Sequence, residues 1–425
     1  MSAICIRGPR RLNGTIRIQG SKNAVLPVMA ASLLHSGFVE LGNVPDIQDV
    51  RCMMEILEHL GCVCRLEGHT LTMDTRMARG GAIPEKRARL MRSSIMLMGP
   101  MLGRFGRAET VSPGGCSIGR RPIDLHIHAL CRLGADIHVE GERIAATAKR
   151  LDGTVIRLSY PSVGATENAI MAAVAAEGVT VIEGAAREPE IGTLCLFLRE
   201  MGATVAGMGT SCLKVHGRQP LHDVAFAIPG DRIVAGTYLG AVIAAGGAAF
   251  LAGAPARHLA EPVKLACSMG ADCTVHENGL LVRMERRPGA VGFVTGPYPE
   301  IPTDLKSVMM AVDAVSDGNA RIREMVFEDR FSTAGELQKM GAHIIIDRDM
   351  AFVEGVRRLH GARVEARDLR GGAALVTAAL AAEGETEIGG CQYIERGYED
   401  ICRDLGGVGA DVSRRVTAGP VTPVG

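Results

Sequence analysis

The chain has no tryptophan and only 3 % aromatic residues, so it lacks the stacking platforms that hold single-stranded nucleic acids. It also lacks net charge. Lys and Arg total 47 and Asp and Glu total 47, which argues against nucleic-acid binding as the main task but leaves room for a local basic pocket for a small anion. The 12 cysteines include no Cys-x-x-Cys pair and no regular framework, so neither a zinc site nor a disulfide scaffold is supported. No Gly-x-x-x-x-Gly-Lys-[Ser/Thr] loop and no Gly-x-Gly-x-x-Gly occur, and nothing requires ATP, nicotinamide, another cofactor or a metal. The N-terminus carries no charged-then-apolar signal segment. The apolar stretch 240–253 is too short and too broken by glycine to span a bilayer. These absences predict a cytoplasmic protein without a membrane partner.

What is present is an abundance of small side chains. The chain is 425 residues long and 47 % hydrophobic, rich in Ala, Gly, Met and Val, a composition suited to closely packed helices and sheets. Most cysteines fall in apolar periodic segments, as Cys195 does in Thr-Leu-Cys-Leu-Phe-Leu, where a thiol is a small core residue.

One phrase recurs after each helical pattern and before a strand pattern. It reads Leu60-Gly61-Cys62, Leu133-Gly134-Ala135, Met201-Gly202-Ala203, Met269-Gly270-Ala271, Met340-Gly341-Ala342 and Gly409-Ala410-Asp411. The glycines lie 68 to 73 residues apart, and each can end its helix in the left-handed conformation. A second helix rich in Ala, Met and Leu recurs as well, near residues 22–34, 90–102, 165–176, 232–245, 304–315 and 369–382. Two helices and a few short strands per ~70 residues, six times over, predict an α/β protein. A Pro-Gly turn near 227–231 divides it into halves of three repeats, and a cleft between such halves is the default place for a site.

Chemistry concentrates in Val111 to Leu125, where Cys116 sits in a loop with glycines, prolines and Arg120-Arg121. A thiol beside two guanidiniums can titrate near neutrality, as proton transfer requires. Pro122 can begin the helix that follows. Elsewhere Lys22 and Asn23 open a helix after Ser21, and a cation there makes electrostatic sense beside a bound anion. Arg92, Arg121, Arg370 and Arg396 stand where glycines or helix starts expose backbone donors, which suits carboxylate and phosphate recognition. Asp304 reads as a first-turn helix aspartate, its carboxylate kept ionised by the helix amides. His126 and His128 point roughly 200° apart on a helix and are not a ligand pair.

Together these stretches resemble the UDP-N-acetylglucosamine 1-carboxyvinyltransferase family of enolpyruvyl transferases over almost the entire chain. The resemblance rests on Gly20-Ser21-Lys22-Asn23-Ala24, Pro113-Gly114-Gly115-Cys116-Ser117-Ile118-Gly119, Arg121-Pro122-Ile123-Asp124-Leu125 and Ser162-Val163-Gly164-Ala165-Thr166. Pro302-Thr303-Asp304, Glu328-Asp329-Arg330-Phe331, Asp368-Leu369-Arg370 and Glu395-Arg396-Gly397-Tyr398-Glu399 complete it. The resemblance implies a two-domain inside-out α/β barrel, with domains 21–229 and 1–20 joined to 230–425. It implies transfer of the enolpyruvyl group of phosphoenolpyruvate to the 3′-hydroxyl of UDP-N-acetylglucosamine in peptidoglycan synthesis, with those two small molecules as partners. Cys116 would be the general acid and the target of fosfomycin, and Asp304 the general base. Lys22, Arg121 and Arg396 would clamp phosphoenolpyruvate, Asn23 would orient the sugar nucleotide, and Arg92, Arg330 and Arg370 would surround the pocket. Pro122, Ile123, Asp124, Leu125, Ser162, Val163, Gly164 and the backbone of Val326 would hold the nucleotide.

Two departures stand out. Tyr160 replaces a lysine found in one branch of the family, and Gly371-Gly372 replaces a common Ala-Ser. They leave room for a non-catalytic paralogue that keeps the fold for regulation or binding. The other alternative is a shikimate-directed transferase of the same fold, against which the Cys-bearing loop and the nucleotide loop argue. Oligomeric state is open.

Overall fold

The computed structural model describes residues 2–112, 114, 122–327 and 331–416. Six buried helices answer to the Ala- and Met-rich pattern, all but the second where it predicts them: α1 Lys22–Ala31, α2 Met98–Phe105, α3 Val163–Ala175, α4 Arg232–Ala245, α5 Thr303–Val315 and α6 Leu369–Ala381. They are core elements. Every residue from Arg232 to Ile243 in α4 and from Leu369 to Leu380 in α6 is buried, as expected of helices apolar on all sides. Small residues let them approach closely. A Cβ on Gly240 of α4 would lie 2.5 Å from Val308 Cγ1 of α5, so only glycine fits that crossing.

The second helix departs from expectation. Residues Arg92–Leu97 wind as a 3₁₀ segment, and α2 begins only at Met98. The cause is Pro100, whose missing N–H is tolerated in a first turn but would break a helix running from residue 90.

The repeat glycines adopt the predicted conformation. Gly61, Gly134, Gly202, Gly270, Gly341 and Gly409 have φ between 92° and 109°. Two residues after each, a strand opens: Val63–Glu67, Asp136–Glu140, Thr204–Ala206, Asp272–His276, His343–Asp347 and Asp411–Val416. An L side chain at these positions would be strained, which is why the phrase keeps its glycine.

The described residues form two compact units, one holding the chain from Gly20 to Pro229, the other holding the residues before Gly20 and from Gly230 onward. Each has its own apolar core and three small sheets. In several repeats a buried helix links two parallel strands. Val155–Arg157 pairs with Val179–Glu183 across α3, Phe293–Val294 with Asn319–Arg323 across α5, and Arg363–Glu365 with Gly384–Gly389 across α6.

At α1 and α4 the strands are exchanged. Leu12–Arg17 precedes α1 but pairs with Gly247–Ala252, the strand after α4. Conversely, Val224–Ala227 precedes α4 but pairs with Phe38–Gly42, the strand after α1. The first strand, Ser2–Gly8, is sandwiched between Gly384–Gly389 and Asp411–Val416. This exchange draws the first residues into the C-terminal unit. With helices inside and sheets outside, each unit is an inside-out α/β barrel. No helix of the described residues is long and apolar enough to cross a membrane.

Candidate active site

The candidate residues gather at the N-terminal ends of the buried helices, where free backbone N–H groups and the helix dipole favour anions. In the unit starting at Gly20, Lys22 is the first residue of α1. Ser21 precedes it, and its carbonyl accepts from Ala24 and Val25, while its side chain makes no capping bond. Pro27 lacks the N–H that would otherwise bond the Asn23 carbonyl. The anion expected beside Lys22 is in part internal, since Lys22 Nζ lies 2.8 Å from Asp49 Oδ2. Both side chains are largely buried, at 13 % and 5 % exposure. Asp49 escaped the sequence reading because, in the first turn of helix Gln48–His59, it passes for an ordinary dipole partner.

Arg92 begins the 3₁₀ segment and donates from Nη2 to the Pro122 carbonyl at 3.3 Å. Pro122 itself is exposed, and the helix expected to begin there begins at Asp124, after Ile123. His126 lies in that helix, buried against α3. Asn168 is oriented by its neighbours: its Oδ1 accepts from Gly99 N at 2.7 Å and its Nδ2 donates to Ile95 O at 2.9 Å. The same Nδ2 faces His126 Nδ1 at 2.9 Å, so Nδ1 accepts and the imidazole proton sits on Nε2. Burial and then the charge of Arg92 push the His126 pKa down to about 4, keeping it neutral.

Gly164, at the start of α3, packs on this ring. A Cβ there would come 2.9 Å from His126 Cε1. The histidine therefore joins the segment Pro122–Leu125 to Ser162–Gly164, two stretches 40 residues apart with a single predicted role. Ser162 caps α3, accepting from Ala165 N at 3.4 Å. Tyr160 beside it is 41 % exposed.

In the other unit, Asp304 is the second residue of α5 and Arg370 the second of α6. Arg370 Nη2 donates to Asp304 Oδ2 at 2.9 Å. Asp368 fixes the start of α6, its Oδ1 accepting from Arg370 N and Gly371 N at 2.9 Å each. Burial works against the Arg370 charge, but Asp304, Tyr398 and Asp231 outweigh it and hold the guanidinium above its ordinary pKa. Tyr398 is buried too, its hydroxyl 2.7 Å from Thr237 Oγ1 of α4. Arg396 lies two residues earlier on the same turn. Gln19 grips that turn, donating to Gly397 O at 3.0 Å and accepting from Glu399 N at 3.0 Å. Val326 is not open on its donor side, because its N–H bonds Glu324 Oε1 at 2.8 Å.

Cys116, Arg121 and Arg330 lie outside the described residues. Of the other thiols, Cys62 and Cys195 are pushed up to about 12 by burial, in keeping with core packing. The structure thus brings together Asp304 and Arg370, with the Arg396 turn beside them. It separately groups Arg92 and Pro122–Leu125 with Ser162–Gly164. Asp49, Asn168, Gln19 and Glu324, which hold these candidate residues in place, were not singled out in the sequence, where His126 read as an ordinary helix residue.

Residues 6–405 match the EPSP synthase (3-phosphoshikimate 1-carboxyvinyltransferase) family. The chain is 41 % identical over 415 residues to UDP-N-acetylglucosamine 1-carboxyvinyltransferase 2 of Caldanaerobacter subterraneus subsp. tengcongensis, covering 97 % of this chain and 100 % of that protein. It is 44 % identical over 416 residues to the protein of the same name from Carboxydothermus hydrogenoformans, covering 97 % and 99 %. Among solved structures it resembles the enolpyruvyl transferase NikO of Streptomyces tendae, with a TM-score of 0.89, 26 % identity, and 98 % and 99 % of the two chains covered.

Proposed function

The chain belongs to the EPSP synthase family of carboxyvinyltransferases, and from that premise we propose that it transfers the enolpyruvyl group of phosphoenolpyruvate to the 3′-hydroxyl of UDP-N-acetylglucosamine, releasing phosphate. The observation that carries this reading is identity of 41 % and 44 %, across 97 % of the chain, to proteins named for that reaction. It favours the sugar nucleotide over shikimate 3-phosphate as acceptor. The product is an enol ether for peptidoglycan synthesis, formed in the cytoplasm.

The chemistry is an addition followed by an elimination. C3 of phosphoenolpyruvate takes a proton from the Cys116 thiol while the sugar oxygen bonds to C2 and gives its proton to Asp304. The C2–O bond to phosphate then breaks, phosphate leaves with the electron pair, and C3 returns a proton to the Cys116 thiolate as the double bond re-forms. A carboxylate paired with a guanidinium is a weak base. Asp304, held by Arg370 at 2.9 Å, therefore accepts the proton only as the new C–O bond forms, not before. Lys22, Arg121 and Arg396 neutralise the phosphate and carboxylate of phosphoenolpyruvate, a preorganised electrostatic contribution. Arg92 and Arg330 border the pocket, and Asn23, Pro122–Leu125, Ser162–Gly164 and Val326 hold the nucleotide.

The test is release of phosphate from phosphoenolpyruvate that depends on UDP-N-acetylglucosamine. For the acid, Cys116→Ser should nearly abolish turnover while nucleotide binding persists, and full activity would remove the assignment.

A further inference from the structure

Glu324 is a carboxylate that the mechanism above leaves unused, and it is only 4 % exposed. Its oxygens collect donors from three segments. Thr295 Oγ1, just past strand Phe293–Val294, donates to Oε1 at 2.9 Å. The Val326 and Phe327 N–H groups donate to the same oxygen at 2.8 Å and 3.3 Å. Thr303 Oγ1, on the first residue of α5, donates to Oε2 at 2.7 Å. Thr295 Oγ1 in turn accepts from Met325 N at 3.1 Å.

A carboxylate is acceptor-only, and four donors hold this one from three segments, three on Oε1 and one on Oε2. Bonds to a charged acceptor are also the stronger kind. One side chain therefore ties the residue next to Asp304 to the backbone of Val326. We infer that Glu324 is a positioning residue: it sets the first turn of α5, and with it Asp304, against the Val326 segment. The inference rests on the reading of Asp304 as base and Val326 as nucleotide contact. Misplacing a reacting group by about 1 Å can cost roughly a hundredfold in rate, so an anchor at this point has catalytic consequences.

The test uses the full-length chain with Thr303→Val, Thr303→Ser, Glu324→Gln and the Glu324→Gln, Thr303→Val pair. Steady-state kinetics are measured in both substrates, and thermal midpoints alongside. Thr303→Ser keeps the hydroxyl and should behave as wild type. Thr303→Val should lower kcat about tenfold, the worth of one charge-assisted bond, and leave KM for phosphoenolpyruvate unchanged. Glu324→Gln should lower kcat similarly and also raise KM for UDP-N-acetylglucosamine about tenfold, because it slackens Val326 as well. The double variant should have kcat no lower than Glu324→Gln alone, since both changes cut one connection.

A merely structural clamp gives a different result: lower thermal midpoints, with kcat and both KM values of the folded fraction unchanged. That outcome, or losses that multiply in the double variant, overturns the inference. If Glu324→Gln does not fold, the contrast between Thr303→Val and Thr303→Ser decides alone. If the wild-type chain shows no turnover, the proposed function fails instead. Calorimetric titration with UDP-N-acetylglucosamine then tests Glu324 separately, and equal affinity in Glu324→Gln and wild type overturns it.

Discussion

Arg370 Nη2 lies 2.9 Å from Asp304 Oδ2, joining the first turns of two buried helices, with the Arg370 side chain 7 % exposed and that of Asp304 24 %. The buried partner cannot turn to water if the other is lost. Asp304→Asn should cut turnover at least about a hundredfold by removing the base. It should also lower stability by up to about 3 kcal/mol, because the buried Arg370 guanidinium loses its nearest counter-charge. Phosphate release and a denaturant midpoint, read on the same preparation, separate the two effects. Unchanged turnover would remove Asp304 from the mechanism.

Lys22 and Asp49, at 2.8 Å, form the corresponding pair in the other unit. With Asp49→Asn the lysine loses a counter-charge that a bound anion can replace. The variant should be destabilised by about 3 kcal/mol without ligand. Phosphoenolpyruvate should raise its thermal midpoint more than it raises that of wild type. Equal shifts would show that Lys22 does not meet the substrate anion.

His126 provides a pH signature. Its folded pKa is lowered from 6.5 to about 4, so its contribution to stability is complete above pH 6.5 and is lost as pH falls toward 4. Over that window it amounts to about 3 kcal/mol. His126→Gln keeps an acceptor for Asn168 and removes the titration. Its thermal midpoint should fall less than that of wild type between pH 6.5 and 4.5, and parallel curves would contradict this.

Asp313 acts with the opposite sign. Burial raises it from 3.8 to about 8, opposed only by the Val291 N–H. Its carboxyl Oδ2 is buried without a hydrogen-bond partner among the described residues, while Oδ1 accepts from Val291 at 3.1 Å. Its contribution to stability is therefore greatest below pH 3.8 and declines as pH rises toward 8. Asp313→Asn retains the Val291 bond, and its advantage over wild type should grow by about 1.4 kcal/mol per pH unit across that range. Denaturation midpoints at pH 5 and 8 check the trend.

The helices and repeat turns were readable in the sequence because their causes are local. A helix apolar on every side announces a core element, and Gly61 or Gly341 stands where only glycine takes the required φ without strain. Cys116, Lys22 and Asp304 stood out because their residue types and neighbours suit the chemistry. What stayed hidden depends on partners far along the chain. Asn168 decides that His126 is a neutral acceptor, and Gln19 grips a turn 378 residues away. The pairing of Leu12–Arg17 with Gly247–Ala252 depends on a strand exchange that no short window reveals. Local pattern also misplaced the start of the helix after Pro122, since the missing N–H of proline permits a helix start without compelling one.

The most direct measurement is phosphate released from phosphoenolpyruvate by the purified chain, with UDP-N-acetylglucosamine, with shikimate 3-phosphate, and with neither. The account predicts release with the sugar nucleotide only, accompanied by its enolpyruvyl ether in equal amount. Release with shikimate 3-phosphate instead, or none from either despite bound nucleotide, would contradict it.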